Sequence, residues 1–463
     1  MRPFWIEQAL FSDGALAPAL QGDTTADVCI VGGGFTGLWT AIQAKQKNPA
    51  LDVVILESDL CGAGASGRNG GCLLTWSAKF FTLKRLFGED EAVRLVRASE
   101  DAVGHIERFV REHRIDAEFR RDGTLYTATS KAQIGTLDPV MAALEERGIN
   151  SYRELPPQEI ARRSGSAKNL AGVFSPEAAT VHPGKLVRGL RRVAIEMGIR
   201  IHERSPMIAL SEARPAIVRT PCGSVTAKKV VLAMNAWMAS TFAQFERTIA
   251  IVSSDMIITE RCPELLAATG LVDGVSVLDS RTFVYYYRTS MDGRIMLGKG
   301  GNTFARGGKI APIFDERSPY EGELTEALHD FFPSLKNVPI TASWNGPSDR
   351  SATGFPFFGR LNGAPHIFYG FGYSGNGVGP TYMGGQLLSS LVLGEDNAWS
   401  RSPLTQGPLG QFPPEPLRYA GSIVVRNAIR RKERAEDEDR APWMIDRMLS
   451  KLANAAGKAD KAA

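Results

Sequence analysis

Cysteine is scarce in this chain: five residues in 463 (Cys29, Cys61, Cys72, Cys222 and Cys262), scattered, odd in number and never at CxxC spacing. That pattern speaks against a disulfide framework and a zinc site, so no metal is expected. Reduced thiols in a bacterial-type cytoplasm are the simple reading. No apolar run reaches the roughly 18 residues of a transmembrane helix. The opening stretch, MRPFWIEQALFSDGALAPAL, lacks the uninterrupted apolar core of a secretory signal. A strong excess of one charge is missing too: 54 Lys+Arg face 50 Asp+Glu, a net charge of +4. So mild an imbalance gives no ground for a nucleic-acid partner and is compatible with a small anionic substrate. No internal repeat is visible. At 463 residues, 43% of them apolar, the chain is too long for one ordinary core and predicts two or more globular domains.

What is present is concentrated in DVCIVGGGFTGLWTAIQAKQKNPALDVVILE, residues 27–57. An apolar run, Val28 to Val31, stops at Gly32-Gly33-Gly34-Phe35-Thr36-Gly37. A helical pattern follows, and a second apolar run ends in Glu57. Strand, helix, strand and terminal acid in register make the βαβ dinucleotide fingerprint. Gly32 permits the tight turn. Gly34 lets backbone N–H groups approach a pyrophosphate at the helix N-terminus, and Gly37 lets helix and strand pack closely. Glu57, about 20 residues past the glycines, is placed to accept from the ribose hydroxyls of an adenosine. The bland alternative, a Gly-rich turn that binds nothing, does not explain the whole register. The chain reads first as a dinucleotide-dependent enzyme.

Beyond Glu57, CGAGASGRNGGCL is a Gly-rich loop too long for a simple turn. Residues 89–114 predict a helix, EFRRDGTLYTATS a hairpin turning at Asp122-Gly123, and residues 131–148 another helix; this block reads as an insertion. VHPGKLVRGLRRVAIEMGIRIHE predicts a helix from Pro183 to Gly198 and then a strand, and SVTAKKVVLAMNAW a strand ending at Asn235. Residues 245–345 are strand-rich by period-2 patterning. WNGPSDRSATGFPFFGR, HIFYGFGYSGNGVGP and the helical TYMGGQLLSSLVLG read as a last return to the first domain. Residues 402–416 are Pro/Gly-rich. Residues 418–440 are highly charged, with a basic face of Arg426, Arg430 and Arg431 that is read as solvated, membrane-surface binding being the lesser alternative.

Three elements in this order, VGGGFTGLWTA with Glu57, GAGASGRNGG, and FYGFGYSGNGVGP leading into a helix, resemble the FAD-dependent amine and amino-acid oxidoreductases of the D-amino-acid oxidase superfamily over roughly residues 20–400. ASGRNGG with GYSGNGV is similar to the subgroup containing γ-glutamylputrescine oxidoreductases. More narrowly, LCGAGASGRNGGC, DGTLYTAT, HPGKLVRGLRR, RTFVYYYRT, GKGGNTFA and SWNGPSDRSATGFPFFGRLNG resemble proteins classed as aminophosphonate oxidoreductases. The resemblance implies an α/β fold, D-amino-acid-oxidase-like. A discontinuous Rossmann-like FAD-binding domain (20–88, 168–244 and 345–400) stands beside a strand-rich α+β substrate-binding domain (89–167 and 245–344). A Pro-rich, charged C-terminal extension (401–463) follows. FAD is expected to be non-covalent, because no attachment motif is seen, although Cys72 is a candidate neighbour of the ring.

The resemblance also implies roles. Gly32, Gly34, Phe35, Thr36, Gly37 and Glu57 hold the dinucleotide. Ser66, Arg68, Asn69, Gly70 and Gly71 run beside the isoalloxazine and pyrophosphate, Arg68 either offsetting charge there or making a surface salt bridge. Asn235 lies beneath the cofactor, although Ala233-Met234-Asn235-Ala236 departs from the Ala-Thr-Gly-like turn of many relatives. Gly372, Tyr373, Ser374, Gly375 and Gly377 precede a helix whose N-terminus stabilises the anionic reduced flavin. Lys299, Tyr286 and Asn376 are candidates for catalytic work. Arg281, Arg288 and Arg350, with Tyr286, are candidates for binding a substrate anion. Tyr286 shares a strand face with Arg288, while Tyr285 and Tyr287 share the other. Each ring either lines the pocket or fills a buried sheet face, Lys299 is either functional or merely exposed, and His182 is either near the flavin or structural.

The implied reaction is hydride transfer from the amine-bearing carbon of a small amine to flavin N5. The imine then hydrolyses to an aldehyde with ammonia or an amine, and O2 reoxidises the flavin to give H2O2. For 2-aminoethylphosphonate or an N-alkyl derivative the aldehyde is phosphonoacetaldehyde. A γ-glutamylputrescine-like or sarcosine-like substrate is the alternative within the class. A flavin disulfide reductase would need a second nucleotide fingerprint and a redox cysteine pair, and neither is visible. The non-enzyme alternative is a flavin-binding sensor or degenerate scaffold.

Overall fold

The apolar runs of the fingerprint form the middle of a mostly parallel sheet, which needs cover on both faces and therefore apolar side chains throughout. In the computed structural model, which describes residues 2–13, 16–453 and 459–460, strands Gly22–Val31 and Val53–Leu56 lie side by side in parallel. The end of the expected C-terminal extension (454–458 and 461–463) and parts of the stretch read for a secretory signal (residues 1 and 14–15) lie outside the described residues. The sheet runs in the order Phe357–Leu361, Ala364–Phe371, Gly223–Leu232, Gly22–Val31, Val53–Leu56, Arg200–His202. All neighbours are parallel except the edge hairpin of the first two, and strands Ala209–Ser211 and Ala216–Thr220 extend it as an antiparallel meander. Helices Phe35–Lys47, Pro183–Glu196, Pro380–Leu393 and Glu89–Glu112 cover one face, with Trp39, Leu38 and Ile42 almost wholly buried between them.

The second sheet has eight strands in the order Ile340–Ser351, Ile249–Thr259, Ile295–Phe304, Tyr285–Thr289, Ser276–Asp279, Thr124–Ala128, Ala171–Ser175, Arg153–Glu154. Its neighbours are antiparallel except for the pair Ser276–Asp279 and Thr124–Ala128. Two strands lie at the expected boundaries. Ala171–Ser175, beyond the boundary at 168, pairs within this sheet, and Ile340–Ser351 runs through the boundary at 345. The expected hairpin at Asp122-Gly123 does not form. Thr124–Ala128 finds its partners far away in sequence, Arg120 bridges to Thr180, and the Asp122 carboxylate accepts the N–H of Gly274 at 2.7 Å. The helix expected over 131–148 shrinks to Asp138–Glu145 behind a short 3-10 turn, Lys131–Gln133, because Gly135 takes a left-handed turn and Pro139 opens a new helix. Among the described residues no helix is long and apolar enough to cross a membrane.

Beneath the first sheet lies an ion cluster that no local pattern announces. Glu203 is fully buried and accepts from Arg188 at 2.8 Å, Arg191 at 3.2 Å and the N–H groups of Ala17 and Cys61. Burial pushes its carboxyl up, but the two N–H donors and two guanidinium charges outweigh this and leave it below the ordinary carboxylate range. Glu203→Gln is expected to cost about 3 kcal/mol, since it leaves buried arginines undercompensated. The folded value lies below the unfolded one, so the contribution is complete above the ordinary carboxylate range and fades as pH falls through the folded value. Urea unfolding of both proteins at neutral and acidic pH checks this: the gap is expected to narrow in acid.

Candidate active site

The carboxyl ends of the parallel strands open into a cavity roofed by the second sheet. Its volume is about 970 Å³, near the top of the roughly 300–1,000 Å³ typical of ligand sites. Ligands in open α/β sheets bind at these strand ends. From the first sheet come Val31, Glu57, Asn235 and Tyr373, and from the roof Ser254, Met256, Tyr286 and Arg350. Gly32, with φ +115°, makes the turn after the first strand, and its missing Cβ would fall 2.4 Å from the Ala233 carbonyl oxygen. A Cβ on Gly37 would lie 2.0 Å from the Gly32 oxygen, and one on Gly34 2.9 Å from Ser66 Oγ. Glu57 is buried and its carboxylate accepts the N–H of Gly33 at 2.7 Å and of Asp59 at 3.0 Å. Burial raises its pKa despite those donors. Phe35 donates its N–H to Ser66 Oγ, and Thr36 Oγ1 meets the Tyr373 hydroxyl at 3.1 Å. A glycine cradle at a helix N-terminus, an acid at the second strand end and a cavity of this size fit a dinucleotide of the FAD type.

The loop 65–71 borders this cavity. Asn69 ties it together, donating to the Ala65 and Ser66 carbonyls and accepting from Gly71 N–H at 2.8 Å. Gly71 has φ +72°, and a Cβ there would lie 2.0 Å from the Val181 oxygen. Arg68 lines the cavity while bonding the Ala63 and Asn345 carbonyls and Asp315. The helix Phe4–Ser12 braces the loop from behind, with Ile6 against Gly62 and Gly67 and Trp5 against Trp344, whose Nε1 donates to the Arg68 carbonyl. Sequence reasoning passed over that helix because it precedes every motif. Asn235, with φ +50°, lines the cavity and its Oδ1 accepts from Ala236 N–H. Gly372 has φ +90° and Ser374 φ +56°; Gly375 and Gly377 line the cavity, while Asn376 donates to the Thr75 carbonyl at 3.4 Å and is absent from the lining.

The four candidate cations end in different places. Lys299 pairs with Asp255 and Tyr285, so it points away from the cavity and lies 3.8 Å over the Tyr285 ring. Its neighbours in GKGG matter to the lining instead: a Cβ on Gly298 would lie 2.4 Å from the Tyr286 ring, and one on Gly300 3.1 Å from Arg350. Arg281 is held by Asp279 and Asp437, outside the lining. Arg288 does share a face with Tyr286. It is nevertheless buried under Trp5, donating to the Gly70 and Val181 carbonyls, so it holds the loop rather than a substrate. Arg350 alone of the four lines the cavity. The Tyr286 hydroxyl meets Ser254 Oγ at 3.1 Å, and burial pushes its pKa up, keeping the phenol protonated. Tyr287 faces the other way and bonds Asn169 and the Ser164 carbonyl. His182 caps the helix Pro183–Glu196 through Lys185 N–H and pairs with Gln8. Burial, with Arg288 and Lys185 nearby, pushes it down to about 3, so it is a structural residue.

The family model of FAD-dependent oxidoreductases (DAO) matches residues 27–391. Gamma-glutamylputrescine oxidoreductase of Escherichia coli K12 is 31% identical over 380 residues, covering 81% of this chain and 85% of that one. Among solved structures, glycine oxidase of Geobacillus kaustophilus superposes with a TM-score of 0.67 at 20% identity, covering 82% of this chain and 98% of that one. L-proline dehydrogenase of P. horikoshii gives 0.65 at 18% identity, over 83% and 96%; these two likenesses show the fold. The chain belongs to the DAO family of FAD-dependent oxidoreductases, and it acts on CH–NH groups of amines or amino acids. Gly37→Ala is expected to yield protein lacking the visible flavin absorbance band. Gly421→Ala, where a Cβ meets nothing within 4 Å, is expected to retain it. FAD titration of both variants makes the check.

Proposed function

We propose that the chain oxidises a small primary or secondary amine carrying an anionic group, with 2-aminoethylphosphonate or an N-alkyl derivative as substrate and FAD held without a covalent link. Arg350 carries this reading: a guanidinium in the cavity wall, on the roof that also presents Tyr286 and Ser254. An arginine fork matches phosphonate or carboxylate oxygens, and a site withdrawn from water strengthens the attraction. Burial lowers the Arg350 pKa and Asp349 opposes that fall; a guanidinium stays charged at neutral pH regardless. Its Nη1 donates to the Ser374 carbonyl at 2.7 Å, which fixes it against the glycine loop. The protonated Tyr286 phenol and Ser254 orient the amine, which must be neutral to react. Bound FAD supplies the acceptor for hydride from the amine-bearing carbon, with O2 as terminal oxidant, and the imine product hydrolyses to phosphonoacetaldehyde with ammonia or methylamine.

A second reading, a γ-glutamylputrescine-like or sarcosine-like substrate, is favoured by the 31% identical relative. The structure also weakens the lean towards phosphonate, because three of the four candidate cations face elsewhere and one arginine suffices for a carboxylate. Anaerobic stopped-flow bleaching with 2-aminoethylphosphonate, its N-methyl derivative, γ-glutamylputrescine and sarcosine separates the two. Fast bleaching by a phosphonate alone supports the first reading, and bleaching by a carboxylate or polyamine substrate alone sinks it. In either case Arg350→Lys is expected to weaken the bleaching amine about tenfold, the loss of one charged bidentate contact.

A further inference from the structure

The helix Leu417–Asp437 lies beyond the residues matched by the family model and returns to the second sheet. It is anchored along its whole length. Arg418, 5% exposed, donates to the Glu246 and Ile249 carbonyls. Ala428 and Ile429 are wholly buried. Two of the three residues of the basic face expected to be solvated are docked: Arg426 reaches the Asn302 carbonyl at 2.7 Å and Arg430 the Asn302 side-chain oxygen at 2.9 Å, while Arg431 is exposed and pairs with Asp446 of the next helix, Met444–Lys451. At the far end, Asp437 takes two guanidinium donors of Arg281 at 2.8 Å, and Glu433 Oε1 accepts the N–H of Thr282 at 2.9 Å. Arg281 is gripped from its other side by Asp279 at 2.7 Å. Between strands Ser276–Asp279 and Tyr285–Thr289, Thr282 and Val284 line the cavity.

We propose that Glu433 and Asp437 are positioning residues: through Thr282 and Arg281 they fix segment 280–284 as a wall of the cavity, so that the C-terminal helix sets substrate affinity. A connection between strands has few internal bonds and opens locally unless something outside holds it. Gln133 accepts the N–H of Ser280 and Asp279 those of Arg281 and Tyr285, and the helix adds two charged acceptors, the stronger kind of hydrogen-bond partner, for the Thr282 N–H and the Arg281 guanidinium. Both lie on one helix face about a turn apart, so the helix grips the connection at two successive residues. Neither acid lines the cavity, which makes affinity, rather than the chemical step, the quantity they govern. The kinetic consequence rests on the amine-oxidising reading of the cavity; the positioning itself does not.

The test uses the full-length, flavin-loaded protein with Glu433→Ala, Asp437→Ala and the conservative Asp437→Glu. Amide hydrogen exchange over residues 280–285 is expected to quicken about tenfold in both alanine variants, the equivalent of one charge-assisted hydrogen bond. With 2-aminoethylphosphonate and γ-glutamylputrescine as probes, KM for the amine that the wild type oxidises is expected to rise about tenfold. kcat and FAD affinity should stay near wild type, and Asp437→Glu should recover most of the loss. Unchanged exchange in both alanine variants overturns the proposal. So does a fall in kcat or FAD affinity as large as the rise in KM, which marks general destabilisation. If the wild type oxidises neither amine, the amine reading fails, and the exchange result alone decides whether the helix holds the wall.

Discussion

One buried carboxylate joins the two halves of the site. Asp349 sits near the end of strand Ile340–Ser351, in the second sheet, and accepts the N–H groups of Gly372 and Tyr373 at the end of the first sheet's strand Ala364–Phe371. Burial pushes its carboxyl up to about 6 against the pull of those donors, so near neutral pH it is ionised and bonds both amides most strongly. The contacts continue on either side. Arg350 bridges to Tyr373 and donates to the Ser374 carbonyl, and Ser351 N–H donates to Ser374 Oγ. The left-handed turn at Gly372 and Ser374 is thereby held by the strand that carries the one candidate substrate cation in the cavity wall.

The roof depends on absent side chains as much as on present ones. Tyr286 fits because Gly70 and Gly298 leave its ring room, and the space beside Arg350 is left by Gly300. In GKGG it is the glycines that border Tyr286 and Arg350, with the lysine on the opposite face. The same economy appears below the cavity, where Gly32, Gly34 and Gly37 admit backbone contacts that a Cβ would block. Bracing comes from two helices outside the residues the family model matches: Phe4–Ser12 supports the loop 62–71, and Leu417–Asp437 supports the opposite wall.

What was legible in the sequence was local. Periodicity placed the helices Phe35–Lys47, Pro183–Glu196 and Pro380–Leu393, and the fingerprint placed Glu57 at a strand end facing the cavity. The hairpin at Asp122-Gly123 failed because strand partners are chosen by the whole sheet, and a favourable turn dipeptide does not decide them. Alternation correctly put Tyr286 and Arg288 on one face. It was silent about how far along the sheet each lies and about the register that turns Lys299 away, since register is set by neighbouring strands. Asp349 stood in plain view inside SWNGPSDRSATGFPFFGR, but its role needs the amides of residues 372 and 373, which only the folded chain brings within reach. The charge of Arg281 suits an anion, but it is taken up by two acids, Asp279 two residues away and Asp437 156 residues away.

Asp349 ties the loop at residues 372 and 373 to the strand that carries Arg350, and so is expected to affect cofactor and substrate binding together. The most direct measurement is FAD affinity and amine affinity side by side in Asp349→Asn, which keeps the shape and removes the charge. Both are expected to weaken, each by about tenfold, because a charged acceptor of two buried amides is lost. Loosened FAD with intact amine affinity, or no change in either, would contradict that expectation.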